Sequence, residues 1–155
     1  MTAFEPRNPD YAAAVRSSFE RQPFMALMGA SLISVSPGAC EIGLDHRHEL
    51  TQQHGFIHGG AIGAIIDTAM GYAGYSLAEA GSSVLTVEYK INLVAPADGG
   101  RLIARGEVAR AGRTLIVSRG EVFAIRDGVE TLCAVASQTV MILAGRADRA
   151  DRADG

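Results

Sequence analysis

The chain has 155 residues, which suits one domain, and 48% of them are hydrophobic, enough to build a core of ordinary size. Its formal net charge is −3, so it lacks the basic surface expected of a nucleic-acid-binding protein. Two cysteines, Cys40 and Cys133, are too few for a disulfide framework and lack metal-ligand spacing; we expect two buried free thiols in a reducing cytoplasm.

The N-terminal part of the chain is predicted to form a helix followed by a pair of strands. Residues 1–10 carry charges and a proline where a signal peptide would need an apolar core. A helical pattern then predicts an N-terminal helix over about residues 10–22, and FMALMGA adds a further turn. The segments ASLISVS and ACEIGLD flank a Pro-Gly pair, which is typical of a β-hairpin.

A long apolar helix is predicted from Gly60 to about Glu79, where Ala, Ile and Met are mixed with small residues in a helical pattern. Residues 59–78 carry a single formal charge, at Asp67, which invites comparison with a membrane span. A carboxylate near the centre of a bilayer costs about 2.5–3.5 kcal/mol. We therefore expect a helix buried by the rest of the domain, and no membrane partner.

Four strands are predicted after Gly81. In VLTVEYKINLV the odd positions from Leu85 to Leu93 are apolar and the even positions from Thr86 to Asn92 are polar, which predicts one buried face. RLIARGEVARAG, RTLIVSRGEVFAIRD and ETLCAVASQTVMIL follow, joined by glycine-containing turns. The last of these strands is apolar on much of both faces, so we expect a partner subunit to cover part of the sheet.

This order of elements predicts an α+β fold in which a curved antiparallel β-sheet wraps around one long central α-helix. Residues 1–144 are assigned to a single domain. Residues 145–155, GRADRADRADG, form a low-complexity tail of balanced charge that we expect to be disordered.

Gly59 and Gly60 lie at the predicted start of the long helix. The first amides of a helix have no intrahelical acceptor, and the helix dipole favours a negative atom in front of them. Glycines leave room for a ligand to approach. These are the requirements for polarising a carbonyl whose oxygen becomes an oxyanion. We expect the Gly59 amide to do this and Gly60 to contact the substrate, although a Gly-Gly pair also occurs in simple tight turns.

Asp67 is the one carboxylate in the long helix before Glu79, eight residues beyond Gly59. Eight residues of helix rise about 12 Å, more than an aspartate side chain can bridge. If both residues act on one substrate, they must come from different subunits. The spacing therefore predicts a dimer with the site at its interface, unless Asp67 is a structural carboxylate bonded to nearby backbone.

This region resembles the hotdog-fold acyl-CoA thioesterases, in particular the phenylacetic-acid-degradation type. The likeness extends over about residues 25–143 and is densest over 52–96. The matching positions are Gln52-x-x-Gly55-x-x-His58-Gly59-Gly60, then Asp67, then the strand V-x-Y-x-I-N-x-x-x-P from Val87 to Pro96.

The resemblance implies a role for each matching residue. Asp67 takes the place of the catalytic carboxylate, acting as general base on water or as nucleophile. The Gly59 amide matches the donor that polarises the thioester carbonyl, and His58 is a positioning residue at the helix entrance. Thr86 matches a Ser or Thr that helps to hold the water, although an ordinary strand threonine remains an alternative. Gln52 stands where this type usually has Asn, whereas another branch of hotdog thioesterases has Gln; a structural role remains open for it too.

The resemblance also implies an acyl-CoA ligand, so that coenzyme A is part of the substrate and no separate cofactor is expected. The acyl group would enter a pocket between the central helix and the partner's sheet, with Met70, Tyr72 and Tyr75 as lining candidates. Arg110 and Arg113 are the candidates for holding the CoA phosphates, since basic side chains bind phosphate well. A solvated hairpin end is the alternative for both arginines.

All four histidines lie between His46 and His58, so a zinc site is an alternative interpretation of this segment. No cysteine is nearby and the HExxH pattern is absent, so we predict no metal site.

The predicted protein is a cytoplasmic acyl-CoA thioesterase that forms a homodimer, pairing further into a homotetramer. Two other functions stay open: a hydratase or dehydratase on the same fold, and a non-catalytic acyl-CoA-binding module. The sequence does not distinguish aromatic from fatty acyl groups.

Overall fold

The computed structural model describes residues 4–148, in which a six-stranded antiparallel sheet packs against three α-helices. The predicted order of elements is confirmed. The helices and strands are α1 (Tyr11–Glu20), α2 (Pro23–Met28), β1 (Ala30–Ser36), β2 (Ala39–Asp45), α3 (Gly59–Tyr75), β3 (Ser83–Leu93), β4 (Arg101–Ala111), β5 (Leu115–Arg126) and β6 (Val129–Leu143).

The end of the long helix differs from the expectation. Helix α3 ends at Tyr75, before the predicted Glu79, and the Ser76 hydroxyl then donates to the Ala73 carbonyl at 2.7 Å and accepts from the Gly38 amide at 2.8 Å. In the predicted tail, Asp148 accepts a hydrogen bond from Arg21 at 3.0 Å. Residues 149–155 of that tail lie outside the described residues.

The strands lie in the order β1-β2-β4-β5-β6-β3 across the sheet. Helix α3 packs against one face of this sheet. Gly106 of β4 and Gly120 of β5 pair with each other beneath it. A Cβ atom at Gly106 would lie 2.5 Å from backbone atoms of Ala69 and Met70, and one at Gly120 would lie 2.5 Å from the Ile66 side chain. Glycine at both positions therefore lets the helix backbone approach the sheet closely and fixes the depth at which Asp67 lies.

The predicted burial of one whole face of β3 is wrong. Leu85 is 62% and Val87 56% exposed, and Leu93 is also exposed. β3 is an edge strand that pairs only with β6 in the part of the chain described here. An exposed apolar edge strand is a surface that proteins usually cover.

Cys40 and Cys133 are buried and free, as predicted. Burial raises the pKa of the Cys40 thiol to about 12, and burial also raises the pKa of Cys133. Within residues 4–148 no helix has the length and apolar character needed to cross a membrane.

Candidate active site

Asp67 is half-buried in the middle of α3, and two side chains donate to the same oxygen of its carboxylate. Thr86 of β3 donates through Oγ1 to Oδ1 at 3.0 Å, and Gln138 of β6 donates through Nε2 to Oδ1 at 2.5 Å. Among residues 4–148 no donor reaches Oδ2. The carboxylate is thus held by one oxygen and has the other free for chemistry.

A β-bulge at Val87 explains how Thr86 reaches Asp67. In β3, Thr86 pairs with Val140 and Glu88 pairs with Thr139, so Val87 is an extra residue in the ladder. Bulges re-aim neighbouring side chains. Before the bulge the side chains at even-numbered positions of β3, such as Thr86, face α3. After the bulge the side chains at odd-numbered positions face α3, and Tyr89 packs against Gly63 of the helix. Strict alternation would have turned Thr86 away from the helix, to the side of Glu88.

A cavity of about 270 Å³ opens beside Asp67 and Thr86. Tyr72 and Tyr75 line it, but Met70 does not. Met70 is fully buried, because its position on α3 faces the sheet at Gly120. The expectation that Met70 is a lining residue is therefore corrected for this cavity.

The far end of the cavity is formed by the end of α1 and the residues that follow it, which the sequence analysis did not assign to the site. Tyr72 Oη lies 3.0 Å from Ser18 Oγ and accepts from Gln22 Nε2 at 2.7 Å. Arg21 lines the same end and pairs with Asp148 at 3.0 Å. Burial raises the pKa of Tyr72 against the opposing effect of its hydrogen bonds with Ser18 and Gln22, so its phenol is neutral at physiological pH.

The start of α3 presents one unused amide. The His58 carbonyl accepts from the Ala61 and Ile62 amides at 2.9 and 3.2 Å, and His58 Nδ1 accepts from the Gly60 amide at 2.8 Å. The Gly59 N–H has no acceptor within residues 4–148. Gly60 was expected to contact the substrate, but its amide is taken by the His58 ring, so only Gly59 can offer a backbone donor here.

Two further features keep Gly59 available. His58 caps the helix with its unprotonated Nδ1, which places the ring proton on Nε2 and fixes the direction of the first turn. A Cβ at Gly59 would lie 2.8 Å from Cδ1 of Leu93, so a side chain has little room there. His58 therefore lies where a positioning residue for the helix entrance is expected.

The other residues singled out in the sequence lie apart from Asp67. The Gln52 side chain accepts a hydrogen bond from the His54 amide within its own turn, on the Gly59 side of α3.

Arg110 and Arg113 are exposed near the β4–β5 turn. In that turn the Thr114 carbonyl accepts a hydrogen bond from the Ile142 amide of β6, and Ile142 pairs in turn with Val84 of β3, which lines the cavity. Two strand spacings therefore separate this hairpin end from the edge of the cavity, a distance of about 10 Å.

Gln138 is the hydrogen-bond donor to Asp67 that sequence reasoning missed. The inward positions of β6 are Ala134, Ala136, Gln138, Val140 and Ile142, and the amide is the polar exception among them. A polar residue at an inward position of an alternating strand was the available signal. Among residues 4–148 no group of three His, Cys, Asp or Glu side chains is arranged to hold a metal ion.

Comparison with known proteins places this geometry in context. The sequence model of the thioesterase superfamily matches residues 54–131, which include Gly59, Asp67 and Thr86 but end before Gln138. The crystal structure of a thioesterase family protein from Silicibacter pomeroyi superposes with a TM-score of 0.84 and 46% identity, covering 86% of this chain and 98% of that one. These matches confirm the predicted hotdog fold.

Two further relatives are more distant. A Halobacterium salinarum protein that carries the name of an esterase is 30% identical over 123 residues, covering 76% of this chain and 80% of its own. The structure of the E. coli PaaI protein, from the phenylacetic acid degradation operon, has a TM-score of 0.78 at 19% identity, covering 90% of this chain and 98% of that one. The PaaI likeness shows a shared fold alone.

Proposed function

The chain belongs to the thioesterase superfamily, and on that premise we propose that it hydrolyses an acyl-CoA thioester to a free acid and coenzyme A. The observation that carries the proposal is the hydrogen bonding of Asp67. Two donors hold Oδ1, no donor within residues 4–148 reaches Oδ2, and the residue lines a cavity. A carboxylate fixed in this way is suited to act as a general base or a nucleophile.

Two forms of the reaction are compatible with this arrangement. In the first, Oδ2 removes a proton from water while the water oxygen bonds to the carbonyl carbon. In the second, Oδ2 itself bonds to that carbon, and water then hydrolyses the anhydride. In both forms the carbon–sulfur bond breaks, and coenzyme A leaves as a thiolate that takes up a proton.

The carbonyl oxygen becomes negative in either form and needs a donor. The unused Gly59 amide at the start of α3 is suited to that role, because preorganised backbone donors stabilise an oxyanion. It lies about 12 Å along the helix from its own chain's Asp67. We therefore assign the donor to the partner subunit of a homodimer, and the exposed apolar edge of β3 supports such a partner.

The cavity beside Asp67 is the candidate pocket for the acyl group. Its volume of about 270 Å³ is small, since ligand pockets run to about 300–1,000 Å³. Its lining residues carry polar groups except for Gly71 and Val84. Both features favour a compact or aromatic acyl group over a long alkyl chain. We accordingly rank aromatic acyl-CoA thioesters first, in line with the resemblance to the phenylacetic-acid type.

The test is release of the CoA thiol from a panel of acyl-CoA thioesters by the wild type and by Asp67→Asn. We expect turnover by the wild type and a loss of about 10²–10⁴-fold in kcat for the variant, the range for losing a general base. Equal turnover by both proteins would rule out Asp67 as the reactive group. Tight binding of acyl-CoA without any turnover would instead identify a binding module.

A further inference from the structure

We infer that Gln138 is a positioning residue for catalysis, which holds the Asp67 carboxylate so that Oδ2 alone faces the substrate. This inference rests on the proposed role of Asp67. Gln138 lies outside residues 54–131, the part of the chain that the superfamily model matches, so its role is inferred from the structure alone.

The Gln138 amide clamps Asp67 at two atoms. Nε2 donates to Oδ1 at 2.5 Å and lies 3.0 Å from the main-chain oxygen of the same residue. It also lies 3.3 Å from Thr86 Oγ1, so the two donors to Oδ1 contact each other. The opposite orientation of the amide would place Oε1 against Oδ1, acceptor against acceptor, and this fixes which end of the amide faces the carboxylate.

The same side chain leaves a polar atom without a partner among the described residues. Gln138 is 2% exposed, and its Oε1 has no hydrogen-bond partner within residues 4–148. A buried acceptor without a partner destabilises a fold, and an apolar side chain of similar shape would avoid that particular cost. A residue present only to join β6 to α3 would not need this amide. What the amide supplies, and an apolar side chain cannot, is the donor to Asp67.

The charged groups around Asp67 do not replace this donor. Arg21 and Asp148 share the cavity with it, but the Arg21 guanidinium is bonded to Ser17 and to Asp148 itself. Thr86 and Gln138 are therefore the two donors to the carboxylate within residues 4–148. Thr86 lies on the edge strand β3, whereas Gln138 is buried on β6, which has a neighbouring strand on each side. The surroundings of Gln138 therefore restrict its side chain more than those of Thr86.

Ser118 offers a matched control. It pairs directly with Gln138 across β5 and β6, is equally buried, and lies within 3.4 Å of the Met70 carbonyl on the same helix. It thus joins the sheet to α3 without touching the Asp67 side chain. Ser118→Ala therefore measures the effect of losing a contact between the sheet and the helix that is only structural.

The experiment compares kcat, KM and Tm for the wild type, Gln138→Met, Gln138→Glu, Ser118→Ala and Asp67→Asn. For Gln138→Met we expect kcat to fall about 10–100-fold, as for other partners that orient a reactive group, with KM within about twofold and Tm unchanged or higher. Ser118→Ala should keep its kcat. Gln138→Glu should regain kcat as the pH is lowered, because a protonated carboxyl donates again; Gln138→Met should show no such recovery.

Two results would overturn the inference. One is a lower Tm for Gln138→Met with kcat unchanged, which would make Gln138 a structural clamp. The other is equal pH profiles for Gln138→Glu and Gln138→Met. Loss of activity in Asp67→Asn alone would leave the proposed function standing without this inference, whereas full activity in Asp67→Asn would remove both.

Discussion

The Gly59 amide, which has no acceptor within residues 4–148, and the carboxylate of Asp67 lie on one helix, separated by eight residues and a rise of about 12 Å. Each chain therefore offers a donor at one place and a carboxylate at another. A thioester carbonyl is only a few atoms across and cannot meet both within one chain. The proposed site is complete only where α3 of one protomer approaches Asp67 of its partner.

Substitution of Gly71 tests whether the size of the cavity limits the acyl group. This glycine lines the cavity from the interior of α3, and a Cβ added there would meet nothing within 4 Å. Gly71→Ala should stabilise the protein by about 0.5–1 kcal/mol, because glycine is unfavourable inside a helix. Gly71→Leu should fill the cavity and lower kcat/KM for phenylacetyl-CoA by at least ~10-fold while changing acetyl-CoA hydrolysis little. An equal loss on both substrates would show that the cavity does not hold the acyl group.

The raised pKa of Cys40, about 12, makes a prediction about thiol reactivity and pH. Native protein at pH 8 should react slowly with a thiol reagent, whereas denatured protein should react at both cysteines. An unfolded thiol ionises near pH 9, below the folded value, so the unfolded state binds fewer protons above that pH. The free energy of unfolding should therefore decrease as pH rises from about 9 towards 12, and less steeply in Cys40→Ala. Urea melts of both proteins between pH 8 and 10 measure the difference, and parallel curves would contradict the assignment to Cys40.

Arg110 and Arg113 remain the proposed contacts for the CoA phosphates. The double variant Arg110→Ala/Arg113→Ala should raise KM for acyl-CoA about 10-fold, corresponding to loss of one charge-assisted hydrogen bond of about 1.5 kcal/mol, with kcat retained. Acyl-pantetheine, which lacks the nucleotide, should be hydrolysed equally by variant and wild type. Arg119→Ala removes another exposed arginine, from β5, and serves as the control. A KM that rises equally for both substrates would place the nucleotide elsewhere.

The sequence predicted the long helix, the order of helices and strands along the chain and the separation of Gly59 from Asp67, because these follow from periodicity and from helix geometry. It did not predict the bulge at Val87, which has no strong local signature. Strict alternation predicted one buried face for β3, and the bulge splits that face into two. The position of Thr86 thus depends on strand pairing rather than on spacing.

The remaining site residues come from segments distant in the chain. Gln138 reaches Asp67 across 71 positions, and Ser18 reaches Tyr72 across 54. Such contacts depend on how β6 and α1 pack against α3, which no local pattern reveals. The use of the Gly60 amide could not be predicted for a different reason, since its acceptor depends on the rotamer of His58; a contact of Gly60 with the substrate stays a prediction.

The most direct test of the two-chain site is subunit complementation. Gly59→Pro removes the amide proton at the first helical position, which tolerates proline, and the extended backbone of His58 suits a following proline. Gly59→Ala adds a Cβ near Leu93 but keeps the N–H, so it is the control for steric effects.

Asp67→Asn and Gly59→Pro proteins are mixed, unfolded, refolded together and assayed for thioester hydrolysis. Half of randomly formed dimers are hybrids, and each hybrid holds one intact site of two. The account predicts about one quarter of the wild-type activity in the mixture, with each parent nearly inactive alone and Gly59→Ala retaining activity. Activity in the mixture no higher than the mean of the two parents would contradict a site shared between subunits.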